Sequence, residues 1–245
     1  MTHKGDPVGQ PMTEGDILGG SGAMFDRIAG RYDLLNRLQS FGMDQGWRRR
    51  ALASLQLKAG DQLLDLATGT ADLAIMAAHR VPDLEVVGVD PSPAMLEVGR
   101  SKVDRADLSP RVQLIEGDAQ SLPFETDTFD GVSIAWGIRN VADRQRALRE
   151  MNRVLRPGGR LAILEGGEPE GFIVGPTGRF YMHHILPQLG ALLSGAQEYK
   201  YLPDSIAQFP KPSEFCGYLE QAGFTAVEHR PLTFGAARLY TGRCP

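Results

Sequence analysis

The chain has 245 residues, 42% hydrophobic and 23% charged, so it can bury a substantial core, and an α/β fold of this size often forms one domain. No apolar run approaches the roughly 18 to 20 residues that span a bilayer, and the two cysteines, Cys216 and Cys244, are too few for a disulfide framework or a Cys-based metal site. A formal net charge of -4 supplies no general attraction to a phosphate backbone, which leaves Arg48-Arg49-Arg50 as at most a local basic patch and makes nucleic acid an unexpected partner.

Residues 1–22, rich in Gly, Pro and Thr and without a basic then apolar leader, read as a flexible tail before a single domain over 23–245; a cytoplasmic protein is expected. From Met24, Phe25, Ile28, Tyr32, Leu35 and Leu38 recur near helical spacing up to Gly42, which predicts helices ahead of a sheet. Leu63–Leu66 predicts a strand, Ala67–Ala71 a small-residue turn, and Leu73–Ala78 a helix. The unit repeats with a strand Val86–Val89 ending at Asp90 and a helix from Ala94 to about Val103, with Pro93 in its first turn.

Strands at Val112–Ile115 and Gly131–Ala135 follow, then a helix over Gln145–Leu155, a turn Pro157-Gly158-Gly159 and a strand Arg160–Leu164. Short apolar strands alternating with helices predict an α/β, doubly wound, mostly parallel sheet covered on both faces. Phe180–Leu193 resumes a helical apolar pattern and reads as an inserted helical cover. A helix over Ser213–Ala222 capped by Gly223, then Ala226–His229 and Leu239–Gly242, completes the sheet with two antiparallel strands.

Open parallel sheets bind ligands beyond the carboxyl ends of their strands. There the chain places Asp65-Leu66-Ala67-Thr68-Gly69-Thr70-Ala71, where backbone can approach a ligand and Gly69 suits an unusual angle. Taken alone this is equally a tight strand-to-helix turn. Asp90, ending the second strand, can accept from both hydroxyls of a ribose, and Asp118-Ala119, after the third, offer a carboxylate and an N–H to adenine. Each aspartate is by itself as readily a cap or turn residue. A nicotinamide cofactor would use the same ribose acid, but its pyrophosphate calls for a glycine-rich turn, and here Ala67 and Ala71 stand in place of two glycines. S-adenosylmethionine makes no such demand, and its carboxylate would lie over Gly69-Thr70 and the Thr70 hydroxyl.

Phe25-Asp26, Tyr32–Asn36, Ser40-Phe41-Gly42 and Trp47, with Gly137-Ile138-Arg139-Asn140-Val141, Arg153–Gly159, Glu165 and His184–Pro187, resemble the ubiquinone/menaquinone biosynthesis C-methyltransferase family of class I methyltransferases. Thr233–Ala237 looks closer to its menaquinone branch. The resemblance implies a seven-stranded Rossmann-like fold with N-terminal helices, and cofactor positions at Thr70, Asp90, Asp118, Ala119 and Ala135 beside Asp65, Ala67 and Gly69. It implies a demethylated prenyl quinol as substrate, no metal, and room for a peripheral membrane contact and a homo-oligomer. Asp44 stands where the family pattern has His, Gly167 where it usually has Ser, and Tyr240 near an expected His; all three are candidates to border the acceptor pocket.

Methylating an aromatic carbon needs an electron-rich ring in line with the sulfonium methyl, and ionising a ring hydroxyl supplies the density. Arg139 is the expected cation beside the quinol oxygen, Asn140 orients that oxygen, and His184 or Tyr32 relays the proton. The plain alternative for Arg139 is an ion pair with a local carboxylate such as Asp143. Rival functions are a methyltransferase of another small aromatic metabolite, a cofactor-binding protein without catalysis, and a dehydrogenase.

Overall fold

The computed structural model describes Asp26 and residues 29–167, 205–206 and 208–245. The predicted cover over Phe180–Leu193, together with His184 and the tail 1–22, lies outside the described residues. Two helices, α1 (Tyr32–Gln39) and α2 (Met43–Leu55), precede the sheet and are separated at Gly42, whose φ of 74° ends the first pattern. Then come β1 (Gln62–Leu66), α3 (Asp72–Arg80), β2 (Glu85–Asp90), α4 (Pro93–Arg105), β3 (Val112–Glu116), β4 (Phe129–Ala135), α5 (Arg144–Val154) and β5 (Leu155–Gly166). The chain closes with α6 (Pro212–Gln221), β6 (Thr225–Leu232) and β7 (Ala237–Arg243).

One seven-stranded sheet runs in the order β3-β2-β1-β4-β5-β7-β6, with parallel pairing through β5 and antiparallel pairing of β7 to both neighbours. Successive side chains of a strand point to opposite faces, so Leu63 packs with α2, α3 and α4 while Leu64 and Leu66 pack with α5 and α6. Both faces are covered, which is why the inner strands read as continuous apolar runs. Local chemistry sets the helix starts: Pro93 takes the first turn of α4, where the Ser92 hydroxyl accepts from the Met95 N–H, and Asp143 caps α5 by accepting from the Arg146 N–H.

One boundary changes, and the order of the closing hairpin is settled. The helix expected to end at Leu155 stops at Val154, and Leu155 already pairs with Phe129; Pro157-Gly158-Gly159 is a bulge within β5, since Arg160 pairs with Gly131 and Gly158 has φ 80°. The final hairpin has its later strand, β7, inside the sheet and the earlier one, β6, at the edge.

Candidate functional site

Strand order reverses between β1 and β4, since β1 leads outward to β2 and β3 while β4 leads to β5. At such a switch point the loops after adjacent strands diverge and leave a crevice above the carboxyl ends. The loops after β1 and β4 meet at its base: a Cβ added to Gly137 would stand 2.4 Å from the Ala67 Cβ, so only glycine fits there. Gly69 has φ 56°, as expected, but Ala67 (φ 47°) and Ala71 (φ 64°) also adopt the left-handed conformation, which their identities do not foretell.

Asp90 organises the turn. Its Oδ2 accepts from the Gly69 N–H at 2.8 Å and its Oδ1 from the Ser92 N–H at 2.9 Å. Each oxygen keeps a second lone pair, the requirement for also holding two ribose hydroxyls. Burial raises the Asp90 carboxyl above its ordinary range, against the pull of those two N–H groups. Asp118 is exposed at the end of β3, its carboxylate accepting from the backbone and side-chain amide of Gln120, with half-buried Ala119 beside it. Ala135 is buried where β4 ends.

Asp65 lies beneath the turn. Its two oxygens accept from the Thr68 hydroxyl and the Ser133 hydroxyl, both at 2.7 Å, so it ties β1 to the turn and to β4. Burial pushes its carboxyl from 3.8 up to about 6. The folded state therefore retains a proton that the unfolded chain has lost, and stability declines as pH rises from about 4 to about 6, then levels. A shift of this size corresponds to about 3 kcal/mol. Asp65→Asn should remove the dependence: in urea denaturation, the wild type should lose about that much relative to the variant between pH 4 and pH 7. A difference that stays flat with pH would mean an ordinary carboxyl.

The Thr70 hydroxyl is committed elsewhere. It donates to Asp33 Oδ1 at 2.5 Å, and Lys102 Nζ donates to it at 3.2 Å while also pairing with Asp33 and Asp72. The Thr70 hydroxyl thus stands between the Asp33 carboxylate and the Lys102 ammonium, beside the backbone of the turn.

Arg139 sits in a 3-10 turn, Ile138–Asn140, after β4, and Asn140 closes that turn by donating its N–H to the Gly137 carbonyl at 3.0 Å. The Arg139 Nη1 donates to Glu165 Oε1 at 2.6 Å and to the Trp136 carbonyl at 2.7 Å. Its ion-pair partner is thus Glu165 of β5 and not Asp143, because the turn carries Arg139 toward the neighbouring strand end and Asp143 away to cap α5. Tyr32 approaches from α1: its ring lies 3.9 Å from where a Cβ on Gly69 would be, within electrostatic reach of Asp90, Arg48 and Arg139. Burial raises its phenol above the ordinary value, so at neutral pH it acts as a neutral hydrogen-bonding group.

The three departures from the family pattern lie in different settings. Asp44 is buried, accepts from Ser40 and Gln45, and faces the buried Arg48 at 3.7 Å. Gly167 is explained by packing, since a Cβ there would stand 2.4 Å from the Gly235 carbonyl oxygen. Tyr240 lies in the core against Phe215, ring centroids 4.8 Å apart, on the sheet face opposite α2. The residues missed from sequence are Arg48, Asp33, Lys102 and, as a site residue, Glu165. A signal for Arg48 was available: it falls on the same α2 stripe as Leu52 and Leu55.

The model of the ubiE/COQ5 methyltransferase family matches residues 20–243. The ubiquinone/menaquinone biosynthesis C-methyltransferase UbiE of Syntrophotalea carbinolica is 48% identical, over 89% of this chain and 92% of that protein. The demethylmenaquinone methyltransferase of Thermus thermophilus is 48% identical over 91% of this chain and 100% of its own, and that of Deinococcus radiodurans 44% over 96% of each. Among solved structures, the [4+2]-cyclase SpnF covers 92% of this chain and 95% of its own with TM-score 0.67 at 19% identity. A SAM-dependent methyltransferase from Aquifex aeolicus covers 81% and 89% with TM-score 0.60 at 19% identity; both share the fold.

Proposed function

Because the chain belongs to the ubiE/COQ5 methyltransferase family, we propose that it transfers the methyl group of S-adenosylmethionine to a ring carbon of a prenylated quinol, demethylmenaquinol giving menaquinol. The observation that carries this reading is the crevice itself. Asp90 is buried with both oxygens aligned by N–H groups and a lone pair left on each, one strand from a turn whose backbone is open to close approach. The names of the Thermus and Deinococcus relatives favour the menaquinone precursor. The family match over residues 20–243 and the shared sheet support one catalytic domain over 23–245.

In this reading Asp90 holds the ribose, Asp118 and Ala119 the adenine, and Ala67, Gly69, Thr70 and Ala135 line the approach to the sulfur, with Asp65 holding the turn from below. Bound there, S-adenosylmethionine supplies an electrophilic methyl group on a sulfonium. The protein's own residues prepare the acceptor ring. Arg139, held by Glu165, fixes the Ile138–Asn140 turn beside the crevice and sets a positive charge near the quinol oxygen, favouring the ionised hydroxyl. Asn140 orients that oxygen. The neutral phenol of Tyr32 passes a proton by donating one and accepting another, with His184 as the companion relay. The ring carbon gains the methyl group and releases its proton, which restores aromaticity.

Delivery of a prenyl chain suggests contact with the inner face of the membrane. The exposed large apolar side chains among the described residues, Leu34, Leu38, Phe41, Met43 and Phe234, lie on α1, the turn after it, the start of α2 and the turn Thr233–Gly235. The indole N–H of Trp47 donates to the Thr233 hydroxyl at 2.9 Å and holds that last turn to α2. No helix among the described residues is long and apolar enough to cross a membrane, so the contact proposed is peripheral. Incubation with methyl-labelled cofactor and demethylmenaquinol in lipid vesicles should yield labelled menaquinol. Label that instead appears only on unprenylated phenols would assign the protein to another small aromatic acceptor.

A further inference from the structure

Arg48 is a buried cation that the proposed chemistry leaves unused. Its residue is 6% exposed, and its Nε has no hydrogen-bond partner among the described residues. The nearest carboxylate oxygen, Asp44 Oδ2, is 3.7 Å away, beyond hydrogen-bond distance, and already accepts from Gln45 Nε2 at 3.1 Å. A buried guanidinium without a bonded acceptor is costly unless something completes it. Trp47, Ala51, Leu52 and Leu55 of α2 pack on the sheet face that carries Leu63, and strand alternation puts Asp65 and Ser133 on that same face. Arg48 thus points from α2 toward the sheet face that carries Asp65, and its charge acts on both Asp65 and Tyr32.

The cofactor proposed above carries one negative group, the carboxylate of its methionine part. Other cations at the crevice are engaged: Arg139 by Glu165, and Lys102 by Asp33 and Asp72. The Thr70 hydroxyl donates to Asp33. We infer that Arg48 receives the α-carboxylate of the methionine moiety of S-adenosylmethionine, with Asp44 nearby as a buried counter-charge. A planar guanidinium offers paired N–H donors that match a carboxylate. The assignment rests on the cofactor reading above and adds to it the residue that recognises the amino-acid end.

Calorimetric titration tests this without turnover. The wild type should bind S-adenosylhomocysteine well above 5′-methylthioadenosine, which lacks the amino-acid part. Arg48→Met should weaken S-adenosylhomocysteine roughly 10- to 100-fold, the range of a charge-assisted hydrogen-bonded pair, and leave 5′-methylthioadenosine within about 3-fold of the wild type, no more than a neighbouring apolar change carries. Retained 5′-methylthioadenosine binding also shows that the variant is folded. Should Arg48→Met fail to fold, Arg48→Lys, which keeps the charge but not the fork, should show a smaller loss confined to S-adenosylhomocysteine. On the unaltered protein, S-adenosylmethionine should bind at least about 10-fold tighter than its decarboxylated analogue. Equal binding of that pair, or an Arg48 variant that holds S-adenosylhomocysteine as well as the wild type, overturns the assignment. A wild type that binds neither S-adenosylhomocysteine nor 5′-methylthioadenosine instead refutes the cofactor reading on which it stands.

Discussion

Replacing Arg139 by alanine is expected to destabilise the fold by about 3 to 5 kcal/mol, before any effect on turnover is read. Glu165 is fully buried and accepts from the Arg139 guanidinium, the Arg139 N–H and the Gly166 N–H. Removing the guanidinium leaves a carboxylate in the interior without its counter-charge, a larger penalty than the pair's net contribution in the intact protein. For a chain of this length the melting midpoint should fall by on the order of 6 to 20 °C. Adding Glu165→Gln to Arg139→Ala should recover much of the loss, because a neutral amide no longer needs the cation. If Arg139→Ala melts within a degree or two of the wild type, the buried pair has little structural weight. A lost activity in Arg139→Ala alone is therefore ambiguous. The informative variant is Arg139→Lys, which keeps the charge but loses the planar fork. If Arg139 acts on the quinol, its kcat should fall steeply while S-adenosylhomocysteine binds as before.

Asp90→Asn should weaken both S-adenosylhomocysteine and 5′-methylthioadenosine by roughly 100-fold or more, since hydrogen bonds to a charged group contribute about 1.5 to 3 kcal/mol each and two ribose hydroxyls are involved. The amide keeps one acceptor oxygen, but its NH2 then faces the N–H of Gly69 or Ser92, so the turn loses a tether as well. The equal loss for both ligands separates this residue from Arg48, whose replacement should affect only the ligand with a carboxylate. The wild type carries a related pH dependence. The Asp90 carboxyl is raised by burial, so it takes up its proton at a higher pH than an exposed aspartate would. Cofactor affinity should accordingly fall with decreasing pH sooner than an exposed aspartate would make it fall. Unaltered affinity in Asp90→Asn would mean that the ribose is held elsewhere.

The sheet was largely legible from the chain because its signals are local. Leu63–Leu66 and Val86–Val89 are apolar runs ended by an acid, Pro93 and Asp143 mark helix starts, and Gly223 marks a helix end, at φ 98°. The loops at the carboxyl edge of the sheet were legible for the same reason: topology places whatever follows a parallel strand there. Boundaries slipped where pairing competes with local preference. Leu155 continues a helical pattern in sequence but is taken into β5 by Phe129, and the glycines after it are absorbed as a bulge.

The order of residues alone dictates the succession of strands and helices and the acids at the strand ends; that Gly137 must be glycine because its loop presses on Ala67 emerges only in the folded chain. Tertiary structure alone decided which charges meet. Arg139 finds Glu165, 26 positions away, Trp47 finds Thr233, 186 positions away, and Arg48 is turned inward by α2 to stand over the sheet, its Nε without a bonded acceptor among the described residues. Such pairings depend on which strand ends lie side by side and which helix face is buried. Periodicity along the chain records that a face is apolar; it carries no record of what the opposite wall will present to a charge on that face.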